Sequence, residues 1–223
     1  MADGFEKFDH NGNARPFAGN TVLCRLTADS DPASFSTFRR LTGAVAATAL
    51  SAKVAILPSS SYHMTLLGCV TDKRRDPKQW PSGLPINASI ESCHEHVEQR
   101  LIGATSFGPE LVVVEPNPER AIVWDQLLKV CLRPHDRAEY VRLRRGRAEI
   151  ANALGLRPLD SVGDLHITVG YPTAPLTSAE GAEFEDIKAA YESELRGATI
   201  HLVPAELCTF GDMMAFDHRL KLR

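Results

Sequence analysis

Several large functional classes are excluded by what the sequence lacks. No apolar run is long enough to span a bilayer, and the N-terminal Met1-Ala2-Asp3-Gly4-Phe5-Glu6-Lys7 has no basic-then-apolar leader pattern. A cytoplasmic, membrane-free protein is the expectation. The five cysteines (Cys24, Cys69, Cys93, Cys131, Cys208) are odd in number, widely separated, and form no Cys-x-x-Cys pair. Most lie in apolar stretches, where a reduced thiol behaves as a small hydrophobe. No G-x-G-x-x-G follows a predicted strand, and there is no Walker pattern and no G-x-S-x-G elbow. Nucleotide-cofactor enzymes and serine hydrolases of those types are therefore disfavoured. Charge of one sign is also lacking: Lys+Arg number 25 against Asp+Glu 28, a formal charge of -3, so the whole chain is not built to bind a polyanion.

What is present is an ordinary globular composition, 43% hydrophobic and 24% charged, in 223 residues. That length suits one domain, or two small lobes sharing a core. After about twenty polar, turn-rich residues, Val22, Cys24 and Leu26 alternate as a strand does. Ser30-Asp31-Pro32 opens a helix lined by Phe35, Phe38, Leu41, Val45 and Ala49. Strands are predicted at 54–57 and 62–70, an exposed loop at 72–85 carrying Trp80, and a helix at 88–101. Segments 111–115 and 121–124 read as a hairpin around Asn117-Pro118, with another strand at 127–132. A helix at 136–154 ends at Gly155, and then follow a strand at 163–171, a helix at 177–195, a strand at 199–203 and a hairpin turning at Gly211-Asp212. Paired strands with short turns and irregular helix spacing predict an α+β fold of mainly antiparallel sheet.

Two of the eight histidines share one setting: Tyr62-His63-Met64-Thr65-Leu66 and Leu165-His166-Ile167-Thr168-Val169, with glycine following at Gly68 and Gly170. Side chains alternate across a strand, so His63 and Thr65 share one face while Tyr62, Met64 and Leu66 share the other. The same parity pairs His166 with Thr168 against Leu165, Ile167 and Val169. Chance alone supplies roughly half of one His-x-Thr match in a chain of this composition, so two in the same apolar frame stand out.

Two such dyads suit phosphodiester cleavage without a metal. One neutral imidazole takes a proton from water or a ribose hydroxyl, and the other, protonated, donates to the departing oxygen. Each Thr hydroxyl can hydrogen-bond a non-bridging phosphate oxygen. Which His is acid and which is base is left open by the sequence.

Two His-x-Thr-apolar motifs separated by 103 residues (166 − 63) resemble the signature of the 2H phosphoesterase superfamily, which includes RNA 2′,3′-cyclic phosphodiesterases. The opening Phe17-Ala18-Gly19-Asn20-Thr21-Val22 and the Gly170-Tyr171 ending of the second motif look most like an uncharacterised subgroup of it. The resemblance implies one domain over 1–223, with two pseudo-symmetric lobes of antiparallel sheet, outer helices and a central cleft. It implies His63, Thr65, His166 and Thr168 as the catalytic four, acting without cofactor on 2′,3′-cyclic or 2′-linked diesters of nucleotides or RNA ends. The alternative on the same fold is a non-catalytic module that holds such ends.

Three further residues are substrate-contact candidates. Trp80 could stack on a base over the cleft, or simply cover a local core. Arg25, on the first strand, is a phosphate-contact candidate. Tyr171 adjoins the second motif with the wrong parity for the cleft, unless a strand end at Pro172 frees it to swing inward. Metal ligation by Cys93-His94-Glu95-His96 is not expected, because His94 and His96 point about 200° apart on a helix. Arg142, Arg144, Arg145 and Arg147, and the shorter Lys73-Arg74-Arg75, read as solvated basic faces.

Overall fold

A computed structural model of the chain describes residues 4–103, 107–157 and 162–222. Its helices are α1 (Gly4–Lys7), α2 (Pro32–Ala46), α3 (Ile90–Leu101), α4 (Arg137–Ala153) and α5 (Ser178–Leu195). The strands are β1 (Gly19–Arg25), β2 (Val54–Ile56), β3 (His63–Thr71), β4 (Val112–Pro116), β5 (Ile122–Trp124), β6 (Leu128–Pro134), β7 (His166–Pro172), β8 (Ile200–Leu202), β9 (Glu206–Phe210) and β10 (Asp217–Lys221).

The four longer helices begin where local chemistry says they should. Asp31, Ser89, Asp136 and Thr177 each accept a backbone N–H of the first turn, and Thr177 forms a reciprocal capping box with Glu180. Helix α2 buries Phe38, Leu41 and Val45 but ends at Ala46, so Ala49 falls in the short 3-10 turn that follows.

All strand pairings are antiparallel and run in the order β10-β9-β1-β3-β7-β6-β4-β8, with β2 beside β7 and β5 beside β6. The fold is α+β, as the alternation of short strands and helices implied. One expectation is corrected. Strands β4 and β5 do not pair as a hairpin; both lie along the same edge of β6, separated by an excursion at Asn117-Pro118. The hairpin is β5–β6, closed by the Asp125–Leu127 turn. Proline opens the chain there without reversing it, because Asn117 N–H and Cys131 N–H still bond across at 2.9 and 2.7 Å.

Between the two halves of the sheet the contact is narrow. β3 and β7 share one bridge, Met64 to Ile167. Both side chains are fully buried on the helix side, in a core that also holds Tyr62, Leu66, Leu165 and Val169 with Phe38, Cys93, Val97, Leu143, Ile150 and Phe184. The inward parity of the two motifs is thus met. All five cysteines are buried free thiols. No helix among the described residues is long and apolar enough to cross a membrane.

A second, aromatic cluster occupies the opposite face: Phe8, Phe17, Ala55, Leu57, Tyr171, Phe210 and Met213, joined by Phe216. It is assembled from the N-terminal segment and the β9–β10 turn, tied together by the Phe17 N–H to Gly211 carbonyl bond at 2.8 Å.

The single bridge makes Ile167 a sensitive position. Ile167→Ala should lower stability by about 2–5 kcal/mol, the usual range for truncating a fully buried aliphatic side chain. Urea unfolding of the variant against the parent protein measures it, and a loss within a few tenths of zero would mean the junction does not carry load.

Candidate active site

Registration through the Met64–Ile167 bridge sets His63 opposite Thr168 and Thr65 opposite His166, an approximate local twofold. All four side chains line one cavity of about 200 Å³, together with Gly68, Thr71 and Tyr171 and the aromatic side chains of Phe17, Phe210 and Phe216. His63, His166 and Thr168 are half-buried, while Thr65 is exposed to the cleft.

Each histidine is the first residue of its strand, so the carbonyl two residues back lies outside the ladder and is available to the ring. Nδ1 of His63 sits 2.7 Å from the Ser61 carbonyl oxygen, and Nδ1 of His166 sits 2.8 Å from that of Asp164. A carbonyl only accepts, so each Nδ1 carries the hydrogen and each neutral ring keeps its lone pair on Nε2. The two rings are held by the same device in the same tautomer.

Their electrostatic settings differ. Burial pushes the His63 imidazole down to about 4, and positive charge on Arg25, His166 and Lys7 acts the same way, against the Ser61 hydrogen bond. Burial lowers His166 as well, with Lys129 adding to it, but the Asp164 hydrogen bond and the charges of Asp164 and Asp125 oppose the shift. Lys129 stands opposite Thr168 on β6, is buried, and its Nζ donates to the Asp164 carboxylate at 3.2 Å. That carboxylate lies 3.9 Å from His166 Nδ1. His63 therefore faces cations, and His166 faces the Asp164 and Asp125 carboxylates, partly neutralised by Lys129 and Arg120.

Tyr171 enters the cleft by a different route from the one its sequence position suggested. Lys129 pairs with Thr168 and Leu128 with Gly170, so β7 carries one extra residue and the pleat parity flips beyond it. The bulge, not the strand end at Pro172, turns Tyr171 to the side of His166 and Thr168. There its ring stacks on Phe8 at 5.0 Å, with Lys7 Nζ 3.4 Å from its hydroxyl.

Arg25 and Trp80 do not join them. The Arg25 side chain forms an ion pair with Glu206 and donates to the Phe216 carbonyl at 2.6 Å, so it anchors the turn whose Phe216 ring packs on His63 at 4.3 Å. Trp80 lies against the main core, its Nε1 donating to Leu84 at 3.0 Å and Arg75 over its ring at 5.3 Å. Of its two readings, cover of a local core is the one the packing matches. Among the basic helix residues, Arg142 is bound to Glu139 and to the Leu111 carbonyl, and Arg145 pairs with Glu149.

His94 is taken up by Asn20, whose Nδ2 lies 3.1 Å from its Nδ1. Among the described residues, no group of three His, Cys, Asp or Glu side chains is placed to hold a metal ion. The sequence reading missed the Lys129–Asp164 pair and the cap of Phe17, Phe210 and Phe216. Phe17 was visible only as part of a resemblance, and nothing in the local pattern marked the others.

The family model 2H-phosphodiest, described as a domain of unknown function (DUF1868), matches residues 7–118, half of the chain. The chain belongs to the 2H-phosphodiest family. The matched stretch contains His63 and Thr65, and the second dyad follows beyond it. The fold is also that of a solved structure, the conserved protein of unknown function ATU0111 from Agrobacterium tumefaciens str. C58. The two agree with a TM-score of 0.82 at 22% identity, over 97% of this chain and 90% of that one. A second structure, Usb1 of Kluyveromyces marxianus, overlaps at a TM-score of 0.42 and 11% identity, over 92% of this chain and 97% of that one, too slightly to argue from. No curated protein matches the chain.

In this 2H-phosphodiest member the depressed His63 pKa has a consequence for stability. Between its unfolded value near roughly 6.5 and about 4 in the fold, the unfolded chain binds more protons at this position than the native protein does. The contribution is present in full above pH 6.5 and is lost as pH falls toward 4. His63→Gln should show a shallower loss of urea midpoint between pH 7 and pH 5 than the parent protein, whereas parallel losses would contradict the burial argument.

Proposed function

We propose that the protein is a two-histidine phosphodiesterase that opens a 2′,3′-cyclic phosphate, or hydrolyses a related 2′-linked diester, on a nucleotide or an RNA end. The reading is supported above all by the twinned Nδ1–carbonyl bonds, which leave two Nε2 atoms for one cleft with a threonine beside each. Reduced, buried thiols fit a cytoplasmic setting.

The charge asymmetry favours one assignment of the roles that the sequence left open. His63, among cations, is the harder ring to protonate and serves as the base. Its Nε2 removes a proton from water as the water oxygen bonds to phosphorus. The bond from phosphorus to the ester oxygen breaks, and that oxygen takes the proton from Nε2 of His166. His166 acquires this proton as the anionic diester enters the cleft, helped by the Asp164 carboxylate. Thr65 and Thr168 donate to the non-bridging oxygens, where charge accumulates. Product release with His63 protonated and His166 neutral resets the pair through solvent.

Incubation with a panel of 2′,3′-cyclic nucleotides in excess chelator should yield the monoester, with His63→Ala and His166→Ala each reducing turnover by about 10²–10⁴-fold. Full activity in either variant would reject the mechanism. Failure of every substrate, with nucleotide still bound, would favour the holding module over the enzyme. The role assignment has its own test, because a nitrophenolate leaving group needs no acid. A nitrophenyl nucleotide ester should restore most of the lost rate to His166→Ala and little to His63→Ala; the opposite pattern exchanges the roles.

A further inference from the structure

Cleft-facing positions along β3 are His63, Thr65, Gly68 and Thr71, spaced two, three and three. The same spacing appears along β7, with His166, Thr168 and Tyr171. The cause is common to both strands: β3 has an extra residue against β1 between Thr65 and Leu67, as β7 has against β6 between Thr168 and Gly170. Under the local twofold through Met64 and Ile167, Gly68 is therefore the counterpart of Tyr171. One arm of the cleft ends in a large aromatic ring and the other in no side chain at all.

Glycine inside a strand is costly in chain entropy and packs nothing, so its presence calls for a reason. Two usual reasons fail at Gly68. It stands between two register shifts of β3 against β1, at Thr65–Leu67 and at Gly68–Val70, but its backbone is not in the left-handed region that makes glycine necessary at a bulge. Nor is it crowded, because a Cβ built there would meet nothing within 4 Å. Gly170 is the contrast: a Cβ there would meet Val54 Cγ2 at 2.8 Å and the Ala55 carbonyl at 3.2 Å, so packing alone demands glycine. What a side chain at Gly68 would do is fill the cleft.

We propose that Gly68 determines specificity by keeping open a subsite for the organic group esterified to the phosphate. This deepens the reading given above, since it presumes that the two dyads hold that phosphate. The Tyr171 arm is closed by its own ring and by Phe8, so the group extends over Gly68. The aromatic side chains of Phe210 and Phe216, 5.2 Å apart, line the same cavity. A flat ring stacks on such a wall at little entropic cost, whereas a bare sugar does not. A cavity of about 200 Å³ holds one such unit, so the substrate class is a single nucleotide or the terminal nucleotide of a chain.

The test uses the full chain and its Gly68→Ala, Gly68→Val and Gly68→Tyr variants. Affinities for inorganic phosphate, ribose 5-phosphate and adenosine 2′-monophosphate are read from the imidazole NMR signals of His63 and His166. In the parent protein the nucleotide should bind at least tenfold more tightly than inorganic phosphate, and the base-free sugar phosphate should gain little. Across the series the nucleotide advantage should fall stepwise to nothing in Gly68→Tyr, while inorganic phosphate affinity holds within about twofold and thermal stability holds or rises, since a strand gains from a side chain. Should the tyrosine variant fail to fold, the valine variant decides the matter. A nucleotide advantage that survives valine or tyrosine overturns the proposal, as does a sugar phosphate that binds as well as the nucleotide, or no nucleotide binding at all. Nucleotide binding that depends on Gly68 in a protein with no turnover would instead overturn only the catalytic reading.

Discussion

The site depends on one contact between strands, the Met64–Ile167 bridge. Its two side chains are wholly buried among the helices, so the residues on either side of them must face the other way. Burying two aliphatic groups on one face thus brings two histidines and two threonines together on the opposite face, from sites 103 residues apart in sequence. The bridge is the one point of register between β3 and β7, and the cavity lies over it on the face opposite the helices, between the dyads and the aromatic side chains.

The two rings are tethered identically and sit in unequal charge. The carbonyl two residues upstream fixes the tautomer in both cases and costs nothing in the ladder, because each histidine opens its strand. The surroundings then set how readily each ring is protonated. Arg25 contributes at a distance: bound to Glu206 and to the Phe216 carbonyl, it brings positive charge toward His63 without reaching the cleft itself. A residue proposed from sequence as a phosphate contact acts on His63 through the field and through the turn that it anchors.

Period-two alternation made the dyads legible in the sequence, and it made the buried faces of both motif strands legible with them. The same rule failed for Tyr171, because alternation holds only while the ladder is regular and a bulge five residues into the motif reverses it. Gly170, directly after the extra residue, was its one local sign. Trp80 kept two readings for a related reason, since a lone aromatic in a polar loop reads alike whether it covers solvent or core, and its packing on the core with Nε1 on the Leu84 carbonyl decides. The β4–β5 hairpin failed because Asn117-Pro118 signals a break in pairing but not the direction in which the chain leaves it. The aromatic cap was out of reach altogether, being built from segments that meet only in three dimensions.

Bulges in both motif strands also explain how a nearly symmetric site becomes a directional one. A phosphate held between two equivalent dyads could present either ester oxygen to either histidine. The proposed hydrolysis needs one orientation, with water on the side of the proposed base and the leaving oxygen on the side of the proposed acid. The dyads cannot impose it, since they are related by the local twofold, and the rings are held alike. The next cleft-facing positions along the strands can, because there the relation breaks: Tyr171 blocks one arm and Gly68 leaves the other open. Charge breaks it in the same sense, with cations around His63 and a carboxylate beside His166. Steric and electrostatic asymmetry are carried by different residues on different strands, so each can be altered while the other is kept, and on the proposed mechanism their agreement gives the cleft a single productive direction.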